Sequence, residues 1–197
     1  IISGTMVILG LGCLYWSGSK AGWLIALAQV LLIVCRENWP RKWKAGIVIG
    51  VMALGLAGFT LKYADYFGRG ATSVSARFDY WRTAVLTIKK SPLIGSGPGT
   101  FMIRHRDIKG TDAEMTRLAH NDYLQQASDS GLAGGIAYLT WIAGGLVLLY
   151  RNSSRNALRL SIWLGLLGVF AQGFVEFGLY IPAISWVTFF LFGCLSG

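Results

Sequence analysis

The chain has 197 residues, 54% of them apolar and 14% charged, with a mean hydropathy of +0.52. That is too apolar for an ordinary water-soluble domain, in which about a quarter of the residues are charged. The formal charge of +9 is split between separate connectors rather than gathered in one patch, which argues against a nucleic-acid partner.

Residues 1–35 hold one basic side chain, Lys20, and one carboxamide, Gln29. As a single helix they would extend about 52 Å at 1.5 Å per residue, against a hydrocarbon core of roughly 30 Å. The run therefore has to fold back, and Ser17-Gly18-Ser19-Lys20-Ala21-Gly22 is the natural place, giving spans near 1–16 and 21–35. The run 1–16 has neither the basic n-region nor the small-residue cleavage site of a signal peptide. A basic connector follows (Arg36, Arg41, Lys42, Lys44), then a third span over 45–61.

The interval 62–131 is polar and holds both histidines. Phe78, Trp81, Val85 and Ile88 recur at three- and four-residue steps, which predicts an amphipathic helix over 75–90, capped by Ser75 and followed by Pro92. Gly95-Ser96-Gly97-Pro98-Gly99 lacks a preceding strand and a Walker lysine, and Pro98 removes an amide donor. It reads as a turn that closes the helix against the bilayer surface, with backbone amides open to an anion. His105 lies in a solvated basic run, and Asp107, Asp112 and Glu114 read as a charged loop without metal-site spacing. A second short helix is expected from about His120 to Ser130-Gly131.

A fourth span covers 132–150. A second basic connector holds Arg151, Arg155 and Arg159. Over 160–195 only Glu176 is charged and Pro182 interrupts, giving a fifth and sixth span around a hairpin. Short basic connectors mark the cytoplasmic side, which sets the 17–22 turn, the 62–131 interval and the Glu176 hairpin on the outer side. The fold class is thus an all-α polytopic membrane protein with about six transmembrane helices: three in 1–61, a large extracytoplasmic loop with amphipathic helices in 62–131, and three in 132–197. Together they form one membrane domain, read as a piece of a larger protein. Cys13, Cys35 and Cys194 lie in or beside apolar runs, an odd set that reads as packing residues rather than as disulfides or a metal cluster. Gly46-x-x-x-Gly50, Gly134-Gly135 and Gly144-Gly145 read as close helix contacts.

Several polar residues bear on chemistry. Arg77, in the first turn of the amphipathic helix, and Arg82 suit phosphate, because guanidinium offers paired donors and keeps its charge; lipid headgroups or Asp79 would equally engage them. Lys20 is the sole charge in 35 residues. It is either functional, as ionisable groups beside membrane turns often are, or an anchor at the interface. His120 has the proton affinity of a general base or acid near neutral pH, although a lone histidine is more often structural. Glu176 offers a carboxylate to a basic partner or a sugar hydroxyl.

In order along the chain, these elements resemble the C-terminal half of the O-antigen ligase family, which includes Wzy-type polysaccharide polymerases. The matching elements are Ser17-Gly18-Ser19-Lys20-Ala21-Gly22; Ser75-x-Arg77-x3-Trp81; Ser91-Pro92-Leu93-Ile94-Gly95-x-Gly97-x-Gly99-x-Phe101; and His120-Asn121-Asp122-Tyr123-Leu124 with Asp129-x-Gly131. The resemblance implies a GT-C-type glycosyltransferase of the bacterial inner membrane, working on the periplasmic face. It implies a donor glycan linked to undecaprenyl diphosphate and an acceptor that is lipid A core in ligases or another lipid-linked glycan in polymerases. It further implies chemistry without a metal or other cofactor. Carried over by position, Arg77 and His120 match the family's arginine and histidine, while Lys20 stands where the family usually has arginine. Lys20, Arg82, Asn121 and Glu176 are then expected at the substrate, with Asn121 either fixing the imidazole or contacting sugar. The rival reading is a non-enzymatic polysaccharide or lipid transporter subunit, which calls for polar groups at mid-depth in the spans; here the ionisable groups gather at the outer edge.

Overall fold

The computed structural model describes residues 2–68, 72–111 and 113–196, so Asp112 of the expected charged loop lies outside the described residues. Among the described residues the structure is helical, without strands. The chain divides into two compact units, Ile1–Gly70 and Ala71–Gly197.

The first unit holds α1 (Ile2–Ser17), α2 (Lys20–Arg36) and α3 (Arg41–Gly68). The fold-back falls where span length requires it. Gly18 takes a positive φ of 64°. The Ser17 hydroxyl donates to the Leu14 carbonyl (2.8 Å) and accepts the Ser19 amide (3.2 Å). Ser19 then caps α2 by accepting the Gly22 amide at 3.0 Å, so two serines supply the partners that both helix ends lack. At the other end of α2, the Lys44 ammonium donates to the Cys35 carbonyl at 2.8 Å. The basic connector winds into α3, which is longer than the expected 45–61.

The second unit holds α4 (Thr72–Lys90), α5 (Phe101–Ile108), α6 (Asp122–Ser153), α7 (Ala157–Gln172), a 3₁₀ turn (Gly178–Tyr180) and α8 (Pro182–Ser196). Its larger core comprises Ile142, Leu149, Leu166, Phe170, Leu179 and Leu195, contributed by α6, α7, the 3₁₀ turn and α8. Tyr80, Ala84, Phe101 and Ala119 make a smaller one under α4 and α5. By length and composition, α3 and α6 could each cross a membrane; α7 and α8 are apolar but shorter.

The helix expected at 75–90 starts earlier, at Thr72, so Ser75 lies within it rather than capping it. The face it buries also differs. Tyr80, Thr83, Ala84 and Thr87 point inward, whereas Phe78 is 60% and Val85 39% exposed. Of the expected apolar stripe, Phe78 and Val85 are exposed while Trp81 and Ile88 are half-buried, Trp81 against the smaller core. His105, instead of joining a solvated run, is fully buried. Its Nδ1 lies 2.9 Å from the Thr83 hydroxyl and its Nε2 2.8 Å from the Glu114 carbonyl, and its ring stacks on Phe101.

The glycine turn docks on α6. The Ser96 and Gly97 amides donate to the Ser128 and Asp129 carbonyls at 2.8 and 3.0 Å, and the Leu132 amide to the Pro92 carbonyl at 2.8 Å. These amides are engaged within the protein, not open to an anion. At the contact α6 is broken at Gly131, whose φ is 77° and ψ 177°, close to the expected boundary between the short helix and the next span. A Cβ on Gly95 would stand 2.4 Å from the Asp129 carbonyl oxygen, and one on Gly131 2.3 Å from that of Leu93. Both glycines also have positive φ, so backbone meets backbone only because neither carries a side chain. The other small-residue pairs divide: Gly46, Gly50 and Gly144 face open space, while Gly145 seats Phe192 of α8. The three cysteines are free and exposed rather than packed inside.

Candidate functional site

Within the second unit, three side chains distant in sequence converge. The Arg77 Nη2 donates to Glu176 Oε1 in an ion pair, and its Nε donates to the Val175 carbonyl at 2.9 Å. The other carboxylate oxygen of Glu176 lies 3.3 Å from His120 Nδ1. Glu176 thus bridges the arginine and the histidine, and each of the three is part-exposed, with 23 to 32% of its side chain accessible.

The backbone brings them together by several devices. Arg77 rides on the first turns of α4. His120 sits at a positive φ of 49°, a conformation that costs roughly 1–2 kcal/mol for a residue with a Cβ and so has to be held by its surroundings. The Trp81 indole N–H donates to the His120 carbonyl at 3.3 Å. Tyr80 stacks on the imidazole, centroids 5.3 Å apart, and Phe177 meets it edge-on at 4.6 Å. Nε2 makes no hydrogen bond among the described residues.

Glu176 lies in the segment between α7 and α8, and the two residues after His120 pin that segment. Asn121 caps α6 by accepting the Tyr123 and Leu124 amides at 3.1 and 2.9 Å, while its amide nitrogen donates to the Phe174 carbonyl at 2.7 Å. The Asp122 amide donates to the Gly173 carbonyl at 2.7 Å, and its Oδ2 accepts the Leu179 amide at 3.3 Å. The loop is therefore clamped on both sides of Glu176. Burial works against ionisation of Glu176, but the hydrogen bond to His120 and the charge of Arg77 outweigh it and hold the carboxyl below its ordinary value.

The remaining candidates lie elsewhere. Asn121 engages backbone with both ends of its amide, so it orders the segments on either side of the imidazole without touching the ring. Arg82 is exposed on α4; five residues beyond Arg77, it is rotated by about 140° around the helix. Lys20 belongs to the first unit, with its ammonium 3.7 Å from the Tyr66 ring centroid and 5.1 Å from that of Tyr63. No group of three or more His, Cys, Asp or Glu suited to a metal occurs among the described residues. Sequence reasoning missed Tyr80, Phe177 and Asp122. Asp122 sits inside the His120-Asn121-Asp122 run, but nothing in one sequence shows that the 173–179 segment returns to it.

A family model described as O-antigen ligase matches residues 5–139, a range that contains both Arg77 and His120. The chain belongs to the O-antigen ligase family. The match stops before Glu176, so the observed triad joins residues inside the matched range to one outside it. Among curated proteins, the chain is 26% identical over 180 aligned positions to an uncharacterised protein of Haemophilus influenzae, covering 77% of this chain and 44% of that protein. The chain thus spans less than half of that relative's length. No solved structure matches it.

Proposed function

We propose that this O-antigen ligase family member transfers a glycan from undecaprenyl diphosphate to an acceptor sugar hydroxyl, the acceptor being lipid A core or a second lipid-linked glycan. The observation that supports this reading most is the Arg77–Glu176–His120 arrangement: a guanidinium and an imidazole joined through one carboxylate at a part-open surface. With Nδ1–H donated to Glu176, the free Nε2 carries the lone pair that general-base catalysis needs. As the acceptor oxygen bonds to the anomeric carbon, its proton passes to Nε2. The bond from that carbon to the diphosphate oxygen breaks, and its electron pair leaves with the diphosphate. Negative charge grows on the leaving group, and a fixed cation beside it stabilises the transition state more than the ground state. Arg77 takes that role here, with Glu176 holding its guanidinium in place and Nη1 turned to the Ser73 carbonyl only at 3.4 Å. Arg82 is proposed as an outlying contact for the substrate's phosphates, and Asn121 as a positioning residue.

The setting proposed is the bacterial inner membrane with the site facing the periplasm. Six crossings by α1, α2, α3, the part of α6 beyond Gly131, α7 and α8 would leave 62–131 and Glu176 on one side. Exposed apolar side chains along these helices, such as Ile8 (71%), Leu54 (77%), Leu148 (62%) and Trp186 (76%), support contact with lipid. The test is transfer of labelled glycan from undecaprenyl diphosphate by the full-length protein in proteoliposomes. Turnover that depends on both Arg77 and His120 supports the assignment; normal turnover in the two alanine variants refutes it.

A further inference from the structure

At the far end of α4 from Arg77, where the helix meets the glycine turn and α5, the second unit holds a polar cavity of about 60 Å³. Its walls carry Thr87, Lys90, Ser91, Ser96, Arg104 and Asp107. The volume takes about four water-sized atoms, which suits a tetrahedral oxyanion and leaves no room for a sugar ring. Along α4 the cavity stands about 15 Å from Arg77, at 1.5 Å per residue, so it is separate from the triad.

Three groups on these walls lack protein partners. Arg104 is half-buried, yet its guanidinium makes no hydrogen bond or ion pair among the described residues. Asp107, one turn further along α5, is a suitable partner by position, but its carboxylate instead lies 3.8 Å from Arg106 Nε. Thr87 is 3% exposed and its hydroxyl has no hydrogen-bond partner among the described residues, a costly state for a buried polar group. The Ser91 hydroxyl likewise makes no hydrogen bond among them, whereas Ser96 is held by the Ser128 carbonyl and the Thr100 hydroxyl. Lys90 has a structural use, since a cation in the last turn of α4 complements that helix end. Arg104 has no such use: it lies in the first turn of α5, where the helix end is itself positive.

We propose that this cavity binds a phosphate group, with Arg104 and Lys90 neutralising it and the Thr87 and Ser91 hydroxyls donating to its oxygens. Four donor groups around one small space match the oxygens of a phosphate better than the two of a carboxylate. Water alone would satisfy the hydroxyls but leave two cations on one cavity without a counter-charge. Asp107 is taken up by Arg106, so the walls keep a surplus of positive charge. The phosphate is either carried on a sugar of the glycan or free inorganic phosphate. The first source rests on the reaction proposed above; the site itself rests on α4, the glycine turn and α5 alone.

The probes are glucose 6-phosphate and inorganic phosphate, titrated into the full-length protein in detergent at constant ionic strength, with glucuronate and glucose as comparisons. The tighter of the two phosphates is expected to bind about fivefold more tightly than glucuronate, and glucose more weakly than either. Glucose 6-phosphate ahead of inorganic phosphate identifies a sugar-borne group; the reverse order identifies the free ion. Arg104→Gln should weaken binding about tenfold, as loss of a charge-assisted hydrogen bond does. Asp107→Asn should tighten it about twofold by removing a negative charge from the rim; weaker binding there would indicate a cation site and overturn the proposal. Thr87→Val keeps the shape and removes the hydroxyl, so binding should fall about fivefold while the melting temperature of the unliganded protein does not drop. Thermal unfolding of each variant also identifies any that fails to fold. Unchanged affinity in folded Arg104→Gln or Thr87→Val, or phosphate binding no tighter than glucuronate, overturns the proposal. Binding is read without turnover. If phosphate binds as described but no glycan is transferred, the reaction is wrong and this site stands. If transfer proceeds while neither phosphate binds, the site is wrong and the reaction stands.

Discussion

Arg77 directs two guanidinium nitrogens to different acceptors, one to a carboxylate and one to a backbone carbonyl. A lysine at this position keeps the charge but cannot serve both. Arg77→Lys is therefore expected to fold normally and lose at least tenfold in glycan transfer, which expression-matched membranes measure directly; retained transfer would show that charge alone suffices. Glu176 is the partner of both Arg77 and His120, and its carboxyl is held below its ordinary value of 4.5. Because the folded value is the lower one, its contribution to stability is fully present above pH 4.5 and is lost as pH falls through the folded value. The melting temperature of the wild type should accordingly drop more steeply on acidification below about pH 4.5 than that of Glu176→Gln. At neutral pH the same substitution should cost about 1 kcal/mol, since the triad is part-exposed and solvent weakens the pair. Identical acid profiles for the two proteins would remove Glu176 from the network.

The elements explain why these side chains meet. The glycine turn and the break in α6 fit together through backbone, and each glycine has both a positive φ and a neighbouring carbonyl where a Cβ would go. Gly95→Ala or Gly131→Ala should destabilise the second unit by more than the roughly 1–2 kcal/mol that a left-handed alanine costs by itself. Gly99→Ala, with a positive φ but open space around it, should cost only that amount. Thermal unfolding of the three variants separates clash from conformation; equal losses would contradict the docking. Asn121→Ala removes a helix cap worth about 0.5–2 kcal/mol and also the donor to Phe174, so it should lower both stability and transfer. Helix starts and stops were partly legible from local chemistry: the turn at 17–22, Pro92 after α4, a helix start near His120 and the break at Gly131, whereas Ser75, expected as a cap, lies inside α4. The full buried face of α4 was not legible, because an apolar stripe normally faces the core, and here Tyr80, Thr83, Ala84 and Thr87 are buried, Thr83 against His105, while Phe78 and Val85 are exposed. A lone histidine between two arginines gives no local sign that it is buried.

At the scale of the whole molecule, order along the chain carried most of what could be read. Each motif was weak by itself, and their sequence pointed to the O-antigen ligase family, to which the chain belongs. Arg77 and His120 stood inside those motifs. Glu176 stood out as the only charge in a long apolar run, but its bridge to both is a product of tertiary structure, made by a return of the chain across 56 residues from His120 that no local pattern encodes. The apolar helices likewise gave the all-helical character, while the seat of Lys20 over Tyr63 and Tyr66 in the first unit emerges only when α2 and α3 are packed. We propose that the triad catalyses transfer from a lipid-linked diphosphate. Its most direct measurement is single-turnover transfer of labelled glycan from undecaprenyl diphosphate by the full-length protein, wild type beside His120→Ala, at matched amounts in proteoliposomes. Product is expected from the wild type and at least a hundredfold slower transfer from His120→Ala; equal rates from the two would exclude the imidazole from the reaction.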